Sequence, residues 1–410
     1  MPTTFAVRTS ILSKRWRYSW TLVHNLNFVD IHPFHEYDRF SKFVDRVLEH
    51  CKLSQLKVFR LQLSKFWVPE SCVSKWIDKA VKLNVCELDI ELRQLELPLS
   101  LFTCKTLTKF GLHFSDPYWC RWDCPYSVNL PNLKTLDIID CFKPSSNALK
   151  LINGYPVLDN LSLQVLKWCN EEEYCFKIPT LKRLKLKNFG STSIVSKVVL
   201  NVPNLEYFSV DGVLHSLFLV EDLSSLVAAE VSCEVRYDNL LVELLKGISK
   251  AKSLSLAITY WCPSNDLCVR PLAKFRHLKR LELKGYSGLT WQLISQILEC
   301  CTELEHLCID KPHKGRWNKP QSVPTCMLTN LKTMEFKRAR GYECEMKFLK
   351  YILGNSKALK MLRITCDATR YLLRKEEEWL CAVIFMLPKA SKNCQIRFLG
   401  SWPRSTARLC

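Results

Sequence analysis

Leu278-Lys-Arg-Leu281-Glu-Leu283 and Leu181-Lys-Arg-Leu184-Lys-Leu186 share one pattern: apolar, two variable, apolar, one variable, apolar. The pattern returns as Leu133-Lys-Thr-Leu136-Asp-Ile138, Leu205-Glu-Tyr-Phe208-Ser-Val210 and Leu304-Glu-His-Leu307-Cys-Ile309. It returns again as Leu331-Lys-Thr-Met334-Glu-Phe336 and Leu359-Lys-Met-Leu362-Arg-Ile364, with weaker copies centred on Leu61, Leu88, Phe110, Leu161, Ala229 and Leu254. Taking the middle apolar residue as a marker, the series is 61, 88, 110, 136, 161, 184, 208, 229, 254, 281, 307, 334 and 362, with gaps of 21 to 28 residues. A single such triplet is common by chance. Thirteen in a nearly even series define a repeat in the leucine-rich-repeat range.

The alternating end of each copy predicts a short strand, with Leu184 and Leu186 pointing one way and Lys185 the other. The rest of each unit returns the chain through a helix or an irregular segment, predicted for example at Ser193–Leu200 and Trp291–Cys300. Three inward residues do not offset the entropy of ordering a whole unit, so the units must stack as an array. The expected fold class is α/β: an irregular leucine-rich-repeat solenoid of parallel short strands with helical or irregular return segments. Irregularity is expected because Phe189, Val213 and Tyr286 hold the position after the strand that often carries Asn.

Composition narrows the function. The 410 residues are 48% apolar and 24% charged, which describes a folding chain too long for one ordinary core. Only 11 Gly are present, which argues against phosphate-cradling loops. The net charge of +19 invites a nucleic-acid reading. The register opposes it, because the strand face, the concave binding side of such arrays, has mixed sign. It shows Glu87, Asp89 and Glu91, then Arg183, Lys185 and Lys187, then Arg280, Glu282 and Lys284, and finally His306 and Asp310. Much of the positive charge is therefore expected on the return segments, and Arg183, Lys185, Arg280 and Glu282 are candidate partner-binding residues.

No secretory signal is visible, and the longest apolar run, Trp379–Leu387, is too short to span a bilayer. The 21 Cys fall where Leu or Val is expected, as at Cys141, which suits reduced, buried thiols in the nucleus or cytoplasm. The absence of Asp and Glu from residues 1–29 also fits an organelle transit peptide. Cys120-x-x-x-Cys124 with His113 has loose zinc-like content but lacks a Cys-x-x-Cys pair, so no metal and no cofactor is expected. The nine His form no hydrolase or metalloprotease pattern, and Glu171–Glu173 and Glu376–Glu378 read as solvated charge runs, so no enzyme is expected. Tyr118, Trp119 and Trp122 lie in an insertion before the Leu133 repeat; Tyr260-Trp261 and Trp317 lie in other long connections, beside Arg270 and Arg316. Such residues either tuck beneath their loops or anchor an interface, and Tyr118, Trp119 and Trp122 are taken as partner-binding candidates.

Ala6-Val-Arg-Thr-Ser-Ile-Leu-Ser-Lys-Arg-Trp-Arg-Tyr-Ser-Trp20 resembles the second half of an F-box, with Leu12-Ser-Lys-Arg-Trp16 the most specific part. Leu130-Pro-Asn-Leu-Lys-Thr-Leu-Asp-Ile138 followed by Gly154-Tyr-Pro-Val-Leu-Asp-Asn-Leu-Ser-Leu163 resembles a first well-formed repeat pair, and Val323–Met334 opens a stretch similar to an FBD region. In that stretch a helix is predicted at Glu345–Leu353, a strand at Leu359–Ile364, a helix at Lys375–Leu387 and a last strand at Ala390–Phe398. Together these resemble the plant F-box/LRR/FBD family. The resemblance implies a substrate-recognition subunit of an SCF-type cullin ubiquitin ligase. Val7, Ile11, Leu12, Trp16 and Trp20 would dock on the adaptor subunit, and the repeats would present an unidentified target protein. The runner-up is a free-standing repeat scaffold without ligase association.

An F-box opens with a Leu-rich helix for which only Met1–Phe5 stand upstream of the motif. The expectation is therefore a partial F-box, weakened adaptor binding, and a truncated form or a start at an internal Met. The expected organisation is a partial F-box over 1–30, a linker over 31–52, repeats over 53–322, an FBD region continuing the solenoid over 323–400, and a tail over 401–410.

Overall fold

In the computed structural model, the described residues are 2–30, 34, 36–63, 68–92, 97–114, 121–122, 128–141, 143–144, 152–165, 173–188, 196–261, 272–285, 289–310, 315–366, 374–399 and 408–409. They form two compact units, Met1–Thr192 and Ser193–Cys410.

In the first unit the alternating triplets become a parallel ladder. Its strands are Asn25–Val29, Val58–Gln62, Glu87–Leu92, Lys109–Phe114, Thr135–Cys141, Asn160–Val165 and Arg183–Asn188, each paired with the next in sequence order. The register aligns Leu26, Phe59, Leu88, Phe110, Leu136, Leu161 and Leu184 in one buried row. Phe28, Leu61, Ile90, Leu112, Ile138, Leu163 and Leu186 form a second buried row. Period two thus puts every marker side chain in the core.

One expectation changes here. Phe59, not Leu61, faces Leu88, so that repeat's marker lies two residues upstream. A further rung, Asn25–Val29, precedes it within the stretch read as F-box. The stretch read as a linker also carries the helix Tyr37–His50. It buries Phe40, Val44, Val47 and Leu48, an i, i+4, i+7, i+8 stripe that turns one face to the core.

The next return helix, Glu70–Lys82, buries Val73, Trp76, Ile77 and Ala80. Trp76 Nε1 donates to Asp45 Oδ1 at 2.9 Å, joining the two helices. The second helix ends in a paired C-cap. Val85 N–H donates to the Ala80 carbonyl (3.2 Å) and Asn84 N–H to that of Val81 (2.9 Å). Asn84 takes the left-handed φ of 51° that this turn requires.

The second unit repeats the design with strands Tyr207–Leu214, Ala228–Val235, Ser253–Trp261, Arg280–Gly285, His306–Asp310, Thr333–Ala339, Met361–Cys366 and Gln395–Leu399, all parallel. Phe208, Ala229, Leu254, Leu281, Leu307, Met334, Leu362 and Ile396 form its buried row. Arg408–Leu409 adds an antiparallel pair to the last parallel strand. These ladders are those of a leucine-rich-repeat solenoid.

The segment Ser193–Leu200, expected as a helical or irregular return, instead holds the strand Ser196–Asn201, paired in parallel with Ser216–Asp222. The β-branched Val198 and Val199 suit a strand, and both are buried there. Ser216–Asp222 packs on the helix Asp238–Gly247. Gly247 permits the approach, because a Cβ there would stand 2.3 Å from Val220 Cγ2.

The helix Trp291–Cys300 forms as expected, capped by Thr290 Oγ1, which accepts from Leu293 N–H at 3.2 Å. The helices Glu343–Asn355 and Arg374–Phe385 and the strands Met361–Cys366 and Gln395–Leu399 follow the predicted order of the C-terminal region. Glu377, read as part of a solvated run, is buried on its helix, so that run is amphipathic rather than wholly exposed.

Candidate protein-interaction surface

Alternation leaves every second strand side chain outside the core. In the first unit Asp89 lies between Arg60 (3.3 Å) and His113 (3.9 Å). Opposite Asp89, on the strand that carries His113, Gly111 keeps the space open, since a Cβ there would meet Asp89 Oδ1 at 3.1 Å. Arg183 and Lys185 are exposed on that unit's last strand, as their register requires.

The second unit carries a denser set. Arg280, Glu282, His306, Cys308, Glu335 and Arg363 line an open hollow of about 300 Å³ on its strand face. Glu282 pairs with Lys284 (3.2 Å) and Lys337 (3.8 Å), and Lys337 also with Glu335 (3.6 Å). His306 Nδ1 and Thr333 Oγ1 share a hydrogen bond of 2.6 Å, and Arg338 pairs with Asp310. Burial pushes the Cys308 thiol up to about 11, so it meets this hollow as a neutral group. The structure therefore brings the candidates Arg280 and Glu282 together in one hollow.

A second feature lies where the chain enters each rung. The residue two positions before the marker is Lys252, Lys279, Glu305, Lys332 and Lys360 on successive rungs of the second unit. Backbone N–H groups link them in order: Lys279 to the Lys252 carbonyl (2.9 Å), Glu305 to Lys279 (2.9 Å), Lys332 to Glu305 (2.8 Å) and Lys360 to Lys332 (2.8 Å). Glu305 is ion-paired with Lys332 (2.5 Å) and Lys279 (3.7 Å), and the Lys332 hydrogen bond holds its carboxyl below the usual range. The four lysines are exposed. Positive charge expected on the return segments thus gathers in part on the strand-entry edge. The signal was visible in the motif as Leu278-Lys279, Leu331-Lys332 and Leu359-Lys360.

At the other end of the chain, the helix Thr3–Arg8 gives way to a 3₁₀ turn, Thr9–Ile11. The Thr9 hydroxyl bonds the Ala6 carbonyl at 2.7 Å, a local bond that competes with helix continuation. Val7, Ile11, Leu12 and Trp16 therefore do not share one helix face, contrary to their spacing. Val7 is half-buried, whereas Ile11 is 84%, Leu12 73% and Trp16 51% exposed. Trp20 is half-buried, its ring 6.3 Å from that of His50. Thr3 Oγ1 accepts from Asn27 N–H at 2.7 Å, which ties this segment to the first rung.

Tyr118, Trp119, Cys120, Cys124, Arg270, Glu171 and Glu172 lie outside the described residues. Trp122 lies in the short strand Arg121–Trp122, parallel to Lys143–Pro144. Trp317 is half-buried against Phe348 (5.9 Å) and Tyr351 (5.2 Å), the tucked arrangement rather than an exposed anchor.

Among the described residues no group of three or more His, Cys, Asp or Glu is placed to hold a metal ion. Burial pushes the Cys233 thiol up to about 12 and that of Cys326 to about 11, so these cysteines behave as small hydrophobes. Among the described residues no helix is long and apolar enough to cross a membrane.

Stacked parallel rungs presenting polar side chains of both signs define a leucine-rich-repeat protein. Residues 319–364 match the FBD family model. The chain is 31% identical to a putative FBD-associated F-box protein of Arabidopsis thaliana over 97% of its own length and 95% of the relative's. It is 30% identical to a putative F-box/FBD/LRR-repeat protein of the same plant, over 88% of this chain and 84% of that one, and 28% identical to a further F-box/FBD/LRR-repeat protein over 97% and 93%. The chain belongs to the plant F-box/FBD/LRR-repeat family. Its members are non-enzymatic adaptors.

Proposed function

We propose that this protein is the substrate-recognition subunit of an SCF-type cullin ubiquitin ligase, working in the nucleus or cytoplasm. Similarity along nearly the whole chain to F-box proteins with repeats and an FBD region carries the reading. The exposed Ile11, Leu12 and Trp16, anchored to the first rung through Thr3, supply the apolar groups that would meet the ligase adaptor. Arg183, Lys185, Arg280 and Glu282, with the hollow around the last two, would hold the target protein. The same reading assigns the N-terminal segment to the F-box and 323–400 to the FBD region, with the repeats between them.

The test is co-precipitation of the adaptor with the full chain and with an Ile11→Asp/Leu12→Asp variant. Both side chains are exposed, so folding should survive. Adaptor capture is expected to fall at least tenfold. Equal capture by both proteins would remove these residues from the interface, and no capture by the parent chain would favour a free-standing scaffold.

A further inference from the structure

The lysine row at the strand entries has a spacing, a direction and a sign. Adjacent strands lie about 4.8 Å apart, so the four steps from Lys252 to Lys360 span about 19 Å. An extended peptide covers that distance with about six residues at roughly 3.3 Å each. Lys279 and Lys332 share Glu305, whereas among the described residues Lys252 and Lys360 make no ion pair, which leaves the row with net positive charge. On the marker's other side, the outward-facing row over the same five rungs is Ser255, Glu282, Cys308, Glu335 and Arg363. Two carboxylates, each paired with Lys337, therefore stand in that row, beyond Arg280 and His306.

The position of these carboxylates bears on which polyanion fits. A nucleic-acid strand carries charge on every unit and would meet the carboxylates as well as the lysines. An extended peptide sends alternate side chains to opposite sides. Acidic residues at every second position can face Lys252, Lys279, Lys332 and Lys360 while the intervening residues face Glu282 and Glu335.

We infer that this lysine row is a docking edge for an extended acidic segment of a partner protein. The assignment deepens the receptor reading and rests on it only in requiring a protein partner.

The experiment uses the full chain and a fluorescein-labelled ten-residue peptide of alternating Glu and Ser, read by fluorescence anisotropy at 50 and 200 mM salt. Its Gln counterpart is the neutral control. Replacing Lys252, Lys279, Lys332 and Lys360 by Gln is expected to weaken Glu-peptide binding at least tenfold. Replacing four exposed helix and loop lysines, Lys246, Lys347, Lys350 and Lys389, removes the same charge and is expected to change it less than twofold. The milder pair Lys252→Gln/Lys360→Gln, which breaks no ion pair among the described residues, is expected to cost about threefold and serves if the quadruple variant unfolds.

Equal weakening by the two quadruple variants would reduce the effect to net charge and overturn the assignment. So would tighter binding of a single-stranded RNA of equal charge through the same four lysines. Adaptor capture by the row variant is expected to be unchanged, and its loss would move these lysines to the adaptor interface. An intact adaptor interaction with no peptide preference would sink the docking edge and leave the ligase reading standing.

Discussion

Removing the Glu345 carboxylate should loosen the turn that starts the helix Glu343–Asn355. This side chain is only 2% exposed, and it reaches back to accept from Arg340 N–H at 2.9 Å and Tyr342 N–H at 3.2 Å. Gly341 sits between them at a left-handed φ of 75°. Glu345→Ala leaves two backbone donors without their acceptor, at about 1–3 kcal/mol each where water cannot replace it. The sum of about 2–6 kcal/mol corresponds to a fall of roughly 5–15 °C in Tm for a unit of this size. Glu345→Gln keeps an acceptor oxygen and should lose no more than about 1–2 kcal/mol.

Burial raises the Glu345 carboxyl above its ordinary 4.5, and the backbone donors of Arg340, Tyr342 and Gly341 oppose that rise. Between 4.5 and the raised folded value the native state binds more protons than the unfolded one, so this group's contribution falls as pH rises across that window. Thermal unfolding of parent, Ala and Gln variants from pH 4 to pH 8 reads both effects. The reasoning fails if Glu345→Ala melts within 1 °C of the parent, or if Glu345→Gln is as damaging as Glu345→Ala.

Two further outcomes are expected. Leu283 is fully buried, with Leu256 and Ile309 on the flanking rungs, so Leu283→Ala should cost about 3–5 kcal/mol. Hydrogen exchange should accelerate first in Arg280–Gly285 and its two neighbours, since a repeat contacts mainly its neighbours; uniform acceleration along the chain would contradict that. His215 is buried, with Nε2 lacking a hydrogen-bond partner. Burial, then the Arg236 charge, lowers its pKa from 6.5, with Glu234 opposing. Stability from the neutral ring is therefore full above 6.5 and lost as pH falls from 6.5 through the window down to the folded value. His215→Phe should flatten that acid-side loss in Tm measured between pH 5 and 8, and an unchanged slope would remove His215 as its source.

Much of the ladder was legible because buried rows require aliphatic residues at fixed spacing. From Leu88 onward each marker falls in the predicted buried row. The first rungs were harder for a physical reason. Phe59-Arg-Leu61-Gln-Leu63 offers three alternating apolar residues, and a shift of two positions preserves the face, so only pairing with Leu88 chooses the register. Leu26-Asn-Phe28 lies far upstream of its neighbour and directly follows an F-box-like motif, which hid it. Ser196–Asn201 was missed because Val198, Val199 and Leu200 are all buried, so no alternation distinguishes a strand from a helix. For the candidate surface, Arg280 and Glu282 were readable from register alone. Their companions His306, Thr333 and Arg363 come from other rungs, and the lysines, visible as Leu-Lys pairs in the motif, become a row only when the repeats are stacked.

The two termini of the described ladders share a property with consequences for solution behaviour. An exposed strand edge is a template onto which any other strand can be added. On the Asn25–Val29 side, the Thr3 hydroxyl takes up the Asn27 N–H. On the Gln395–Leu399 side, Arg408–Leu409 runs in the opposite direction to every parallel neighbour. Strand addition by a second molecule would therefore have to displace Thr3 at the first edge and Arg408–Leu409 at the last.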